Sequence, residues 1–204
     1  MSLLKFGLDL AISRVARDVK NPVVYEFGVA SGITYAWIAG VLAARLPRCY
    51  LVGFDSFQGL PEETEGVWRH GWHCKGEHAY GIEHVQQRLK EKNLERPEFK
   101  LFSGFYEESL KRHDVMEDRS NYDSLLLVNI DVDLHRSTLE LLDFVKPLLK
   151  PGTLLYFDDW KDPTHKGVGE WGEHRAWREW TEENPIDWIT VKIGGANERI
   201  LEIV

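Results

Sequence analysis

Residues 23–34 constrain the fold of this chain more than any other part of the sequence. They read VVYEFGVASGIT: an apolar run ends in Glu26, and a glycine turn then leads into a pattern typical of a helix. In α/β proteins, a buried strand that runs into a helix N-terminus forms a ligand cradle, because free backbone N–H groups and the helix dipole favour an anion there. The segment therefore predicts a strand–turn–helix unit with a ligand at the turn.

The spacing of the glycines indicates which ligand fits this turn. A dinucleotide site needs Gly-x-Gly-x-x-Gly, so that the backbone can approach a pyrophosphate. Counted from Gly28, the second and third positions here are Ala30 and Ile33, while Gly32 keeps only the turn. The preceding acid, Glu26, favours a ligand with a positive or hydroxyl group beside its anion. S-adenosylmethionine fits that description, and an ordinary structural turn with two glycines is the alternative.

Composition bounds the class of protein. The chain has 204 residues, of which 43% are hydrophobic and 28% charged, so we expect one domain over 1–204 with a sizeable core. The net charge of −8 argues against nucleic-acid binding, which needs a cationic face. Two cysteines form no disulfide framework, and no secretion signal or membrane-spanning apolar run is present. We therefore expect a cytoplasmic protein with no membrane partner.

Strand and helix patterns alternate along the chain. The predicted strands are 23–27, 50–54, 98–102, 125–130, 153–157, 186–193 and 198–204. Helices are predicted over 7–19, from 33 to before Pro47, near 83–93, from a capping box at Ser137 and Glu140, and near 170–183. This order predicts a mostly parallel seven-stranded sheet with helices on both faces and an antiparallel C-terminal hairpin strand.

Carboxylates follow several of these strands directly. Glu26, Asp55, Asp131 and Asp158 all fall at predicted strand ends, on the edge where open α/β sheets bind ligands. Asp55 is placed to accept the hydroxyls of a ribose. Residues 103–105, after the third strand, are placed to contact an adenine. Each of these sites has an ordinary reading as a helix cap or turn.

Three of the acids predict a metal site. If strands four and five are neighbours, Asp131, Asp158 and Asp159 converge, because adjacent strands lie about 5 Å apart. A bound cation would remove the repulsion, and oxygen ligands favour Mg²⁺, Mn²⁺ or Ca²⁺ over zinc. Asp133 is a fourth candidate if its side chain faces the same way. The alternative is that Asp158 and Asp159 only end a strand.

The segment 60–82 is long for a connection inside a domain, at about 20 residues. We predict that it is a lid over the pocket for the molecule that accepts a methyl group from S-adenosylmethionine. Its His70, His73, Cys74 and His78 do not have the spacing of a zinc site.

Five motifs together carry a resemblance to a known family. They are EFGVASG at 26–32, DSFQGLP at 55–61, SGF at 103–105, IDVDLHRST at 130–138, and KPG at 150–152 leading to FDDW at 157–160. They resemble class I S-adenosylmethionine-dependent methyltransferases, in particular the macrocin O-methyltransferase family. The resemblance implies a Rossmann-like fold and a Mg²⁺ ion held by the acids after strands four and five. His135 stands where that family often has tyrosine.

These observations define a predicted site and function. The cofactor contacts are predicted at Glu26, Gly28, Ser31, Gly32, Thr34, Asp55, Ser56, Phe57, Ser103, Gly104, Phe105 and Asp131. The metal ligands are Asp131, Asp158 and Asp159, and the catalytic residues are Asp131 and His135. A metal-bound acceptor hydroxyl would be ionised and aligned with the methyl group, so we expect an O-methyltransferase acting on a sugar, glycoside or phenol.

Two other functions stay open. One is a nicotinamide-dependent oxidoreductase, which the missing glycines disfavour. The other is a non-catalytic methyltransferase-like domain that binds a partner. A homo-oligomer is also left open, because little sequence precedes the first strand.

Overall fold

Seven strands form a single sheet in the computed structural model, which describes residues 2–62, 74–160, 172–195 and 197–204. The strands are β1 Pro22–Phe27, β2 Tyr50–Asp55, β3 Phe99–Ser103, β4 Ser124–Ile130, β5 Leu154–Phe157, β6 Trp188–Gly194 and β7 Glu198–Ile203. Their order in the sheet is β3-β2-β1-β4-β5-β7-β6. Strands β1 to β5 pair in parallel, and β7 pairs antiparallel with both β5 and β6. The predicted sheet is confirmed.

Helices cover both faces of this sheet. They are α1 Ser2–Arg14, α2 Ile33–Arg45, α3 Ile82–Glu91, α4 Tyr106–Ser109, α5 His113–Arg119, α6 His135–Val145 and α7 Gly172–Glu183. Two apolar clusters form, one with α1, α2 and α3 and the other with α5, α6 and α7. Alternation along β1 supplies both, because Val24 faces the first cluster while Tyr25 and Phe27 face the second. The Rossmann-like layering is therefore present.

Two predicted helix starts are wrong. Helix α1 begins at Ser2 and ends at Arg14, instead of spanning 7–19, because Leu3, Leu4 and Leu8 are buried against the sheet. The proposed capping box at Ser137 does not form: α6 begins at His135, after an extended Leu134 with no side-chain cap. Short α4 and α5 have no signal in the periodicity of the sequence.

Two further features bear on the sequence predictions. Residues 63–73, including His70 and His73, lie outside the described residues, so the lid over 60–82 stays a prediction. None of the helices in the described ranges has the length and apolar character needed to cross a membrane.

Candidate functional site

A cavity of about 520 Å³ opens at the carboxyl edge of the parallel strands. Its walls come from the turns after β1, β2, β4 and β5 and from the first residues of α4 and α6. Among the predicted site residues it is lined by Gly28, Asp55, Ser56, Phe105, Asp131 and Asp159. The structure thus brings both predicted halves, cofactor and metal, to one cavity.

The turn after β1 packs against the β4 turn with almost no space between them. Gly28 has a φ of 85°, and a Cβ there would lie 1.7 Å from the carbonyl oxygen of Asp131. The Asp131 N–H donates to the Phe27 carbonyl at 3.1 Å, and the Gly28 N–H donates to the Phe54 carbonyl at 3.0 Å. Only glycine fits at position 28, because it needs both a positive φ and the absence of a side chain.

Asp55 ties the first two turns together. Its Oδ2 accepts from the Ala30 N–H at 2.8 Å, and its Oδ1 accepts from the Phe57 N–H at 2.6 Å. Burial raises the pKa of this carboxyl, while these backbone donors act in the opposite direction. Each oxygen keeps a second lone pair, so the arrangement is compatible with accepting ribose hydroxyls.

Glu26 lies beneath the cavity and does not line it. Its side chain is 1% exposed, and Oε2 has no hydrogen-bond partner among the described residues. Burial raises the pKa of Glu26 well above its usual value, and the charges of Asp131 and Asp55 add to this. Asn129 lies opposite Glu26 on the neighbouring strand, and its side-chain amide acts to lower the pKa of Glu26.

Three carboxylates converge after β4 and β5. The strands pair up to Ile130 and Phe157, and one oxygen each from Asp131, Asp158 and Asp159 lies within 4.8 Å of the others. Burial raises the pKa of Asp131 to about 8, with the charges of Asp158 and Asp159 contributing. This set of oxygen donors fits a hard divalent cation, which would relieve the repulsion.

Asp133, the fourth candidate, lines the same cavity in a left-handed conformation with a φ of 61°. Among the described residues, the acids whose oxygens lie within 4.8 Å of one another are Asp131, Asp158 and Asp159, so a role of Asp133 as a fourth ligand stays a prediction. Its backbone, like that of Asp131, faces a glycine: a Cβ on Gly172 would lie 2.8 Å from the Asp133 carbonyl oxygen.

His135 is placed differently from the other predicted catalytic residue. It is 6% exposed, does not line the cavity, and its Nε2 lies 2.7 Å from Glu179 Oε2 on α7. The geometry therefore gives His135 a contact between α6 and α7, and its catalytic role stays a prediction. Two further histidines follow strands four and five in the sequence: His174 lies on α7, and His165 lies outside the described residues.

The remaining predicted cofactor residues surround the cavity without lining it: Ser31, Gly32, Thr34, Phe57, Ser103 and Gly104. Some of them hold the turns that do line it. Gly104 N–H donates to the Asp55 carbonyl at 3.0 Å, and a Cβ on Gly32 would lie 2.8 Å from Val85 of α3.

Several wall residues are absent from the sequence predictions. Arg136 and Glu140 come from α6, and Tyr106, Glu107 and Glu108 come from α4. The α6 residues had a signal, since they follow the IDVD motif directly. The α4 residues had none, because nothing in the sequence marks that short helix.

Comparison with known proteins gives the family. A family described as a methyltransferase domain matches residues 25–160, which is more than half of the chain and includes every predicted site residue. The chain belongs to the methyltransferase-domain family. Family and fold together make it a class I S-adenosylmethionine-dependent methyltransferase, and they decide against the nicotinamide-dependent oxidoreductase.

Solved structures support the fold of this methyltransferase. CalS11, described as a calicheamicin methyltransferase, is similar with a TM-score of 0.76 and 20% identity, over 98% of this chain and 77% of CalS11. The O-methyltransferase NovP has a TM-score of 0.74 and 20% identity, over 98% of this chain and 78% of NovP. A search of curated proteins gives no significant match. Membership of the macrocin O-methyltransferase family stays a prediction.

Proposed function

We propose that this methyltransferase transfers a methyl group from S-adenosylmethionine to a hydroxyl of a small molecule, with a divalent cation held by Asp131, Asp158 and Asp159. The observation that carries the proposal is the convergence of these three carboxylates beside the cavity that Asp131, Asp159 and the glycine turn line. The O-methyltransferase NovP and the methyltransferase CalS11, which share the fold, support it.

The two sides of the cavity have different proposed roles, cofactor binding on one and metal binding on the other. Gly28 and Asp55 shape the cofactor side, where the lack of a side chain and the fixed carboxylate leave room for the methionine and ribose parts. Asp131 joins the sides, because its carbonyl packs against Gly28 and its carboxylate belongs to the acidic cluster. The cation, when bound, would orient an acceptor hydroxyl and lower its pKa. Holding two reactants in line is the main requirement of this reaction.

The described wall also indicates the charge of the acceptor. It carries Glu62, Glu107, Glu108 and Glu140, and Arg136 is the only arginine or lysine in this part of the wall. Arg136 already pairs with Glu107 at 2.8 Å and with Glu140 at 3.2 Å. An anionic acceptor would therefore meet repulsion without a free cation from these residues. We propose an uncharged acceptor with adjacent hydroxyls, such as a glycoside or a catechol.

Metal removal tests the central claim. We expect EDTA to abolish methyl transfer and Mg²⁺ to restore it, while calorimetry shows S-adenosylhomocysteine affinity unchanged within about threefold. Asp158→Asn should behave like EDTA, and Asp187→Asn, which removes an exposed charge elsewhere, should match the parent protein. Full transfer in EDTA would contradict the role of the metal.

An acceptor panel tests the remaining claims. A neutral glycoside with a vicinal diol and a catechol should be methylated faster than a nucleotide-linked sugar. CalS11 provides the contrast, because it is described as a TDP-rhamnose 3'-O-methyltransferase. A preference for the nucleotide-linked sugar would contradict the proposal about charge. S-adenosylhomocysteine binding without transfer to any acceptor would favour the non-catalytic binding domain.

A further inference from the structure

One buried acid outside the predicted site contacts both turns that carry the metal-binding carboxylates. Glu173 lies in the first turn of α7 and is 0% exposed. Its Oε1 accepts from the Val132 N–H at 3.2 Å, and its Oε2 accepts from the Asp159 N–H at 3.1 Å. These N–H groups belong to the peptide units that directly follow Asp131 and Asp158.

The two turns need such a bridge because strand pairing ends before them. The register between β4 and β5 stops at Ile130 and Phe157, and the Asp158 N–H still donates to the Ile130 carbonyl at 3.0 Å. Beyond that bond, the carboxylates of Asp131, Asp158 and Asp159 repel one another. Glu173 spans the gap with one oxygen on each side.

A carboxylate at this position lowers the stability of the fold. It adds a buried acid beside Asp131 and Asp159, and no charge of opposite sign contacts it among the hydrogen bonds and ion pairs of the described residues. Its advantage is geometric, since it offers two acceptors in one rigid plane. Glutamine offers one acceptor and one donor, and the donor would face an N–H group.

The start of α7 is also seated closely on the β4 turn. Gly172 has a φ of 58°, and a Cβ there would lie 2.8 Å from the carbonyl oxygen of Asp133. The start of α7 therefore packs against the site, because Gly172 permits close approach and Glu173 accepts hydrogen bonds from both turns.

We infer that Glu173 is a positioning residue that sets the separation of the Asp131 turn from the Asp158–Asp159 turn to that required by a divalent cation. The inference rests on the proposed metal-assisted function. It assigns to α7 a role in metal affinity that is separate from cofactor binding, because neither contact of Glu173 reaches the β1 or β2 turns.

The test uses electron paramagnetic resonance to measure the affinity of the whole chain for Mn²⁺ when it is saturated with S-adenosylhomocysteine. Glu173→Gln should weaken Mn²⁺ binding by roughly 10- to 100-fold, as expected when a group that orients metal ligands is lost. Affinity for S-adenosylhomocysteine should change less than about twofold, and the Tm should shift by only a few degrees, because removal of a buried charge offsets the loss of one acceptor. Glu183→Gln, at an exposed position of the same helix, is the matched control and should leave all three values unchanged.

The outcomes separate this inference from the function on which it rests. If the parent protein binds no Mn²⁺, the proposed function and the inference both fail. If the parent binds Mn²⁺ and Glu173→Gln binds it equally well, only the inference fails. A parallel fall of Mn²⁺ affinity, S-adenosylhomocysteine affinity and Tm would show a general structural role and overturn it as well.

A second variant covers the case in which Glu173→Gln does not fold. Glu173→Asp keeps the charge and both acceptors but is one methylene shorter, so it cannot reach both N–H groups. Weakened Mn²⁺ binding by this variant supports the inference, and unchanged binding overturns it.

Discussion

The two sides of the cavity handle their carboxylates in different ways. On the β1–β2 side, Asp55 is compensated by two backbone donors, the N–H groups of Ala30 and Phe57, which lie in neighbouring turns. On the β4–β5 side, Asp131, Asp158 and Asp159 face one another, and burial with this repulsion raises the pKa of Asp131 to about 8. On the first side backbone donors compensate the carboxylate of Asp55, whereas on the second side three carboxylates lie together, as the proposed cation site requires.

The difference extends to how each side is held in place. The cofactor side is fixed by strand pairing and by the absence of a side chain at Gly28. The metal side depends on α7, whose Glu173 follows the β5 turn by 14 residues. Local sequence therefore builds one half of the site, and a distant helix completes the other.

The largest expected effect comes from breaking the contact between the two sides. Gly28→Ala should reduce the free energy of unfolding by about 3 kcal/mol or more, because it combines a strained φ with a clash against the Asp131 backbone. Urea unfolding measures this loss. Gly152→Ala is the control, since Gly152 has a φ of 94° but nothing within 4 Å of its Cβ position. Equal losses in the two variants would mean that the close approach does not matter.

A paired substitution tests the difference in charge compensation. Asp55→Asn should lower the free energy of unfolding by roughly 1.5–3 kcal/mol, because one backbone donor loses its charged acceptor. Asp158→Asn should change it by less than about 1 kcal/mol in metal-free protein, because relief of the repulsion offsets weakening of the hydrogen bond that Asp158 accepts from the Tyr156 hydroxyl. Both are measured by urea unfolding in EDTA. A loss of similar size in both would remove the distinction between the two sides.

The same two substitutions also distinguish residues that contact the cofactor from residues that bind only the metal. Asp55→Asn should weaken S-adenosylhomocysteine binding by about tenfold or more, through loss of a charge-assisted hydrogen bond, while Asp158→Asn should change it less than about threefold. Calorimetry without added metal gives both values. Unchanged affinity in folded Asp55→Asn would count against the ribose contact.

The smallest expected effect concerns His135. His135→Gln should change the rate of methyl transfer by less than about threefold and the free energy of unfolding by about 1 kcal/mol, because the side chain packs against α7. Loss of a general base would instead cost about 100-fold or more. Such a loss, measured on folded protein with saturating cofactor and acceptor, would support the catalytic role predicted from the sequence.

The sequence by itself determined the sheet and most of the ligand-facing edge. The apolar runs from Val23 and Leu125 could only be buried strands, and the alternation with helices implied parallel pairing. Acids at parallel strand ends share one edge, so the sequence predicted that Asp131, Asp158 and Asp159 converge if strands four and five are neighbours, and the structure pairs these two strands. The turn glycine Gly28 was also marked locally, because it directly follows an apolar run, whereas its contact with Asp131 depends on tertiary packing.

Only the tertiary structure decided which side chains face the cavity and what supports them. His135 lies two residues beyond Asp133, but α6 starts at that residue, and its ring contacts Glu179 and does not line the cavity. Glu173 appears in the sequence as one acid on an amphipathic helix, and nothing nearby marks it. Its contacts join residues 41 and 14 positions away, so they exist only once the sheet and α7 have packed together.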